Sequence, residues 1–176
     1  MQNSKIKKKI ITLIGPTACN KTSTAVHLIK KFPISIIGVD SVQIYKRFNI
    51  GSAKPPKEIL EKYKHHLVDS ADPENIFSVK DFYDQAYRIV MQAHSNNRIP
   101  LLVGGTMMYF NALFKGINDI PEGNEAIREE LQRELDNRGV DKLFNEMKEI
   151  DPESAKTIKK NDKQRIMRAL EVFKIS

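Results

Sequence analysis

Three short apolar runs punctuate the chain: Ile10 to Ile14, ending in Gly15; Ile34 to Val39, ending at Asp40; and Ile99 to Val103, ending at Gly104-Gly105. Each is near-continuous rather than alternating, which is the pattern of a strand buried on both faces, and such strands belong to parallel sheets covered by helices. Between them the spacing is helical. Lys21 to Lys31 is apolar-periodic behind the first run. The clearest helix begins at Ser78, which Asp81 complements as a capping pair; Val79, Phe82, Tyr83, Ala86, Ile89, Val90 and Ala93 then form one apolar face until Asn96-Asn97 ends it. Gly51 to Asn75, rich in Pro, Lys and His with little periodicity, predicts a long loop carrying short helical pieces, and long loops in compact domains are often functional.

After Gly116 the character changes. Glu125 to Asn137 sets Ile127, Leu131 and Leu135 on one face, Gly139 stops that helix, and Leu143, Phe144, Met147 and Ile150 resume the pattern. Asp151-Pro152 reads as an N-cap and first helical position. A last helix from Asp162 is expected to bury Ile166, Ala169, Leu170 and Phe173, with Gln164, Arg165 and Arg168 on the opposite side. That basic face suits RNA phosphates or a base, although a solvated helix surface reads the same. Three strands are few for a doubly wound domain, so an apolar sheet edge is expected to stay uncovered unless more chain or a partner covers it.

With 176 residues, 40% of them hydrophobic, the chain has enough apolar material for one ordinary core and a small appended subdomain. No apolar stretch approaches the roughly 20 residues of a bilayer-spanning helix, so no membrane association is expected. Lys5, Lys7, Lys8 and Lys9 precede the first run, but that run breaks at a glycine without a cleavage site, which argues against an export signal. Cys19 is the only cysteine; a disulfide within the chain is impossible and a reducing cytoplasm is the natural compartment. The net charge of +7 favours phosphate-rich partners such as RNA or diphosphates, though a generally basic surface would give the same number.

Gly15, Pro16, Thr17, Ala18, Cys19, Asn20, Lys21 and Thr22 nearly reproduce the phosphate-loop pattern G-x-x-x-x-G-K-[ST], between a strand and a helix as that pattern requires. Backbone N–H groups and the helix N-terminus surround a polyphosphate, Lys21 adds positive charge, and the Thr22 hydroxyl suits Mg²⁺. Asn20 stands where the pattern has glycine; asparagine tolerates positive φ, at about 1 kcal/mol of strain. Cys19 has no evident histidine partner and reads as a small filler. The fold expectation is therefore α/β: a P-loop NTPase-like parallel sheet flanked by helices, with residues 1–116 as the catalytic core and 117–176 as a helical insertion and basic helix.

Asp40, at the carboxyl end of the second run, stands where ligands gather in open α/β sheets, and suits a general base or a Mg²⁺-associated carboxylate; a turn aspartate is the alternative. Thr106 offers a hydroxyl at the same edge. The third run ends in glycine, not in the aspartate that many phosphate-loop NTPases use to hold Mg²⁺, which argues against simple ATP hydrolysis. His65-His66 lacks matched ligand spacing, and no metal is assigned to it.

Several segments together resemble the bacterial tRNA dimethylallyltransferases: Gly15 to Thr22, Asp40-Ser41-Val42-Gln43-Ile44-Tyr45 with Gly51 to Pro55, His65 to Asp69, Gly104 to Tyr109, and Asn161-Asp162 with Gln164 to Val172. The resemblance spans almost the whole chain. It implies that Lys21 and the loop amides hold the diphosphate of dimethylallyl diphosphate, with Mg²⁺ near Thr22. It also implies that Asp40 takes a proton from the exocyclic amine of a flipped tRNA adenine, next to the anticodon on its 3′ side. Thr106 and Arg128 would position substrate and diphosphate, while Asp40, Ser41, Val42 and Gln43, and Gln164, Arg165, Ile166, Met167 and Arg168, would contact the tRNA. A cytoplasmic monomer is the expected state. Two departures point to impaired activity: Asn20, and a chain shorter than family members, which leaves the C-terminal part of the fold out. The alternatives are a phosphate-loop small-molecule or nucleotide kinase, and an inactive remnant that only binds RNA or diphosphate.

Overall fold

The structure is a computed structural model describing residues 9–117, 121 and 123–176; Lys5, Lys7 and Lys8 of the basic leader lie outside the described residues. The chain divides into two compact units, Met1–Ile117 and Asn118–Ser176.

The first unit is built on a four-stranded parallel sheet in the order β1-β4-β2-β3, from β1 (Ile11–Ile14), β2 (Ile34–Val39), β3 (His65–His66) and β4 (Ile99–Gly104). Helices α1 (Lys21–Ile29), α2 (Lys57–Lys62), α3 (Val79–Ser95) and α4 (Met107–Lys115) accompany it. Strand alternation divides the core in two. Ile34, Ile36, Leu101 and Val103 turn towards Ala25, Leu28 and Ile29 of α1. Ile37, Val39 and Leu102 turn the other way, onto Phe82, Ala86 and Val90 of α3 and Tyr109 and Phe110 of α4. Every residue of β2 is buried, as its unbroken apolar run predicts.

Ser78 and Asp81 form the expected capping box at the start of α3. The Gly51–Asn75 segment carries the anticipated short helix, α2, but also β3, which pairs His65 and His66 with Ile36 and Ile37 and so adds a strand beyond the three apolar runs. Two residues are too few to show a period, so only the partner strand reveals it. Helix α4 likewise goes beyond the sequence reading; its N-cap, Thr106, makes no side-chain capping bond. The uncovered apolar edge is β1, where Ile10, Ile11 and Ile14 are 44%, 42% and 44% exposed.

The second unit comprises α5 (Glu125–Arg138), α6 (Val140–Ile150), α7 (Pro152–Thr157) and α8 (Lys163–Ile175) around Leu131, Leu135, Leu143, Met147, Ile166 and Leu170. Asn124, Asp151 and Asp162 each cap a helix by accepting a backbone N–H. One expected core residue departs from the reading: Phe173 is 58% exposed, and Glu171 takes a buried place on α8 instead. Among the described residues no helix is long and apolar enough to cross a membrane.

Gly104 closes the sheet at its carboxyl edge, where an added Cβ would lie 1.9 Å from the Val39 carbonyl oxygen. Because the obstacle is backbone of the adjoining strand, it cannot rotate away. Gly104→Ala is expected to destabilise the first unit by about 3 kcal/mol, and Ser78→Ala by about 1 kcal/mol, read from urea midpoints by circular dichroism.

Candidate functional site

Between β1 and α1 the chain makes a tight loop in which Ala18 and Asn20 both have positive φ, 66° and 59°. The left-handed turns allow successive amides to face one concavity, the arrangement that receives anions. Asn20 adopts the required conformation, as its sequence position predicts, but its side chain makes no capping bond. Its carbonyl accepts from the Ser23 and Thr24 hydroxyls at 2.9 and 3.1 Å. The strain at Ala18 was not foreseen, since only glycine or asparagine signals such a conformation in sequence. Gly15 lies close to Cys19: a Cβ there would meet Cys19 Sγ at 2.7 Å, so the thiol would have to move. Cys19 therefore fills space against the loop's first residue.

Lys21 Nζ curls back over the loop, donating to the Gly15 carbonyl at 2.8 Å and to the Pro16 carbonyl, with Cys19 Sγ 3.7 Å away. No described carboxylate pairs with it, so its charge is available to an anion. The Thr22 hydroxyl has no hydrogen-bond partner among the described residues.

Asp40 follows β2. Its Oδ1 accepts from the Val42 and Gln43 N–H groups at 2.9 and 3.1 Å, which is the turn role, while no described residue donates to Oδ2. One oxygen thus anchors the turn and the other accepts no bond from a described residue. Gln43 donates to the Ser52 and Ala53 carbonyls at 3.1 and 3.0 Å, pinning the long loop. Thr106 Oγ1 accepts from the Ser41 N–H at 3.0 Å, tying the ends of β4 and β2 together. Val42 is 46% exposed.

A cavity of about 580 Å³ brings Thr17, Ala18, Cys19, Asn20, Lys21 and Thr22 together with Asp40 and Gln43. Thr106, Ser41 and Val42 do not line it. Sequence reasoning missed the contribution of α1, from which Ser23, Val26, His27 and Lys30 line the same space. Their spacing of three and four residues marks one helix face and was the available signal. Beneath the rim, burial first, and then the neighbouring Tyr45, Asp40 and Asp81, push the Tyr109 phenol up to about 12, so it stays neutral against the Phe82 ring 4.0 Å away.

The remaining candidates belong to the second unit. Glu171, 1% exposed, accepts from Arg128 Nε and the Asn124 N–H, each at 2.8 Å, and from Arg168 Nη1 at 2.6 Å. Arg168 also donates to the Pro121 carbonyl at 2.7 Å. Arg128 and Arg168 therefore hold a buried carboxylate, and Arg168 is not the free outward cation that helix spacing suggested. Arg165 is exposed beside Asp162 at 3.4 Å, Gln164 is exposed and Met167 half-buried. Ile166 is fully buried, which leaves its side chain to the core. No group of three or more potential metal-binding side chains occurs among the described residues.

Burial raises the proton affinity of Glu171, but Arg168, the Asn124 amide and Arg128 outweigh it and hold the carboxyl below its ordinary value. A carboxyl depressed in the folded state contributes stability that is present above its unfolded value, near 4.5, and is lost as pH falls through the folded one. Glu171→Gln is expected to cost about 3 kcal/mol at neutral pH, with a smaller deficit below the ordinary glutamate range, measured by urea melts across pH. In the phosphate loop, Ala18→Gly is expected to stabilise by about 1 kcal/mol and Asn20→Gly by less, because asparagine already tolerates the turn.

Comparison with known proteins supplies the rest. The profile of a family described as IPP transferase matches residues 43–176. A tRNA dimethylallyltransferase of Vesicomyosocius okutanii is 45% identical over 97% of this chain and 56% of its own length. The structure of a full-length tRNA isopentenylpyrophosphate transferase from Bacillus halodurans aligns with a TM-score of 0.61 at 38% identity, over 97% of this chain and 56% of that one. That of a eukaryotic dimethylallyltransferase acting on tRNA aligns with a TM-score of 0.79 at 28% identity, over 95% and 42%. The chain spans about half the length of the curated relatives it matches.

Proposed function

The chain belongs to the IPP transferase family, and from that premise we propose that it carries the phosphate-loop portion of a tRNA dimethylallyltransferase, moving the dimethylallyl group of its diphosphate onto N6 of the tRNA adenine 3′ to the anticodon. The observation that carries this reading is the shared cavity: Lys21, at the start of α1, and Asp40, at the end of β2, a cation and an acid, line the same 580 Å³ space.

The loop amides of Gly15 to Asn20 and the Lys21 ammonium receive the diphosphate. The Thr22 hydroxyl, an unbonded hard oxygen beside that cradle, fits Mg²⁺, which takes few protein ligands and completes its shell with phosphate oxygens and water. Bound there, Mg²⁺ supplies charge that offsets the leaving diphosphate. The adenine is flipped from its stack to reach the cavity. Its N6 lone pair forms the new C–N bond at the allylic carbon, the C–O bond breaks, and its electron pair departs with the diphosphate. Asp40 Oδ2 accepts the N6 proton, while Oδ1 stays bonded to the Val42 and Gln43 amides and fixes the carboxylate. Thr106, through its bond to the Ser41 amide, positions the turn that carries Asp40. Catalysis then rests on placement and on charge stabilisation. Asp40 to Gln43 and, from the segment Gln164 to Arg168, the side chains of Gln164, Arg165, Met167 and Arg168 meet the tRNA, while Ile166 serves the core. The setting is the cytoplasm and the acting species a monomer.

The test is transfer of labelled dimethylallyl groups from the diphosphate to tRNA. Asp40→Asn is expected to lower the rate about 10²- to 10⁴-fold, and Lys21→Ala to weaken diphosphate binding as well. Label moving from γ-labelled ATP to a small acceptor, with none reaching tRNA from the isoprenoid, would establish a kinase instead. Salt-dependent tRNA retention on filters without turnover would leave an RNA-binding protein.

A further inference from the structure

A second cavity, of about 430 Å³, opens at the other end of the sheet, where β2 begins and Arg98 leads into β4. Its wall includes Lys62, Lys64, Arg98 and His66, and no aspartate or glutamate. Neither Lys62 nor Lys64 forms an ion pair with a described residue; Lys62 lies 5.8 Å from the centre of the Tyr63 ring, which also lines the cavity. Arg98 is held in place by bonds to the Ser35 hydroxyl, at 3.0 Å, and to the Ile34 carbonyl. Gln92 and Asn96, at the end of α3, add amide groups, and Ile34, Ile89 and Ala93 supply an apolar floor.

Uncompensated cations are ordinary on a convex surface, where water and salt screen them. Here they converge on a concavity, and low-dielectric walls focus their field. The same cations bear on His66: burial first, then Lys64, Arg98 and His65, hold its imidazole below the ordinary histidine value. The volume falls within the ~300–1,000 Å³ of small-molecule sites, and the lining is more polar than apolar, as suits a charged ligand. An extended RNA backbone would call instead for an open basic stripe.

We propose that this cavity is a second anion site, distinct from the phosphate loop, which binds a small phosphomonoester bearing a flat ring, of nucleoside monophosphate size. Lys62, Lys64 and Arg98 take the phosphate, and Tyr63 with the apolar floor takes the ring. The site lies outside the transfer chemistry, so it stands or falls separately from the proposed function.

Two histidines report the two cavities, His66 for this one and His27 for the phosphate loop. The chain, labelled with ¹³C-histidine and assigned through His66→Gln and His27→Gln, is titrated with adenosine monophosphate, pyrophosphate, sodium chloride and a short oligoribonucleotide while imidazole resonances are followed by NMR. Adenosine monophosphate is expected to move the His66 signal saturably at millimolar concentration and to shift its titration upward, because a bound anion relieves the surrounding positive charge. The double variant Lys62→Glu/Lys64→Glu is expected to weaken that response tenfold or more while leaving the His27 response to pyrophosphate unchanged. The proposal is overturned by an unsaturable His66 shift that chloride reproduces, by an undiminished response in the double variant, or by a response to the oligoribonucleotide alone.

Discussion

Three backbones converge at Gly104, and the placement of every candidate group in the first unit follows from that approach. The Val39 carbonyl receives the Gly105 and Thr106 N–H groups, both at 3.2 Å, and Gly15 N–H reaches the Gly104 carbonyl at 3.4 Å. A side chain at Gly104 would lie inside the Val39 backbone. With the glycine in place, β1, β4 and β2 end at one level, and the phosphate loop, Thr106 and Asp40 emerge on a common rim. A parallel sheet gathers its chemistry at the carboxyl ends of its strands, and here the absence of one Cβ lets those ends meet.

Polar side chains around that rim bond to backbone and fix the turns that carry them. Asp40 spends one oxygen on its turn and keeps the other, so the bond that fixes the carboxylate also aims it. Farther out, buried Lys54 bonds Asp69 at 2.6 Å and the Tyr45 carbonyl at 2.8 Å, joining the two halves of the long loop. In the helical unit the logic is inverted. Glu171 is a carboxylate buried on α8 outside the apolar pattern of that helix, and Arg128, Arg168 and the Asn124 amide make its burial tolerable. Arg168, which spacing places on an outward basic face, and Arg128 thus hold the unit's core together.

Much of this was legible beforehand, for particular reasons. The strand of Ile34 to Val39 shows itself because burial on both faces demands an unbroken apolar run, and α3 because its cap and stripe are local. The phosphate loop is visible because its geometry needs a lysine and threonine at set distances from Gly15. Asp40 was marked by where a strand stops. By contrast β3 exists only through pairing with Ile36 and Ile37, and the exposed Met107, Met108 and Phe114 blur the stripe of α4. The strain at Ala18 has no compositional mark, and the fate of Phe173 and Glu171 depended on which neighbours packed against α8.

By itself, then, the sequence determined the parallel α/β class, the position of the anion loop, the capped helices and the acid at the end of β2, because local spacing and short-range sterics specify each of them. Only the tertiary structure decided that Lys21 and Asp40 share a cavity, that α1 lends His27 and Lys30 to it, and that four basic side chains meet at the opposite end of the sheet. Such convergence joins residues far apart in the chain, and no local period records which strand ends will come to lie side by side.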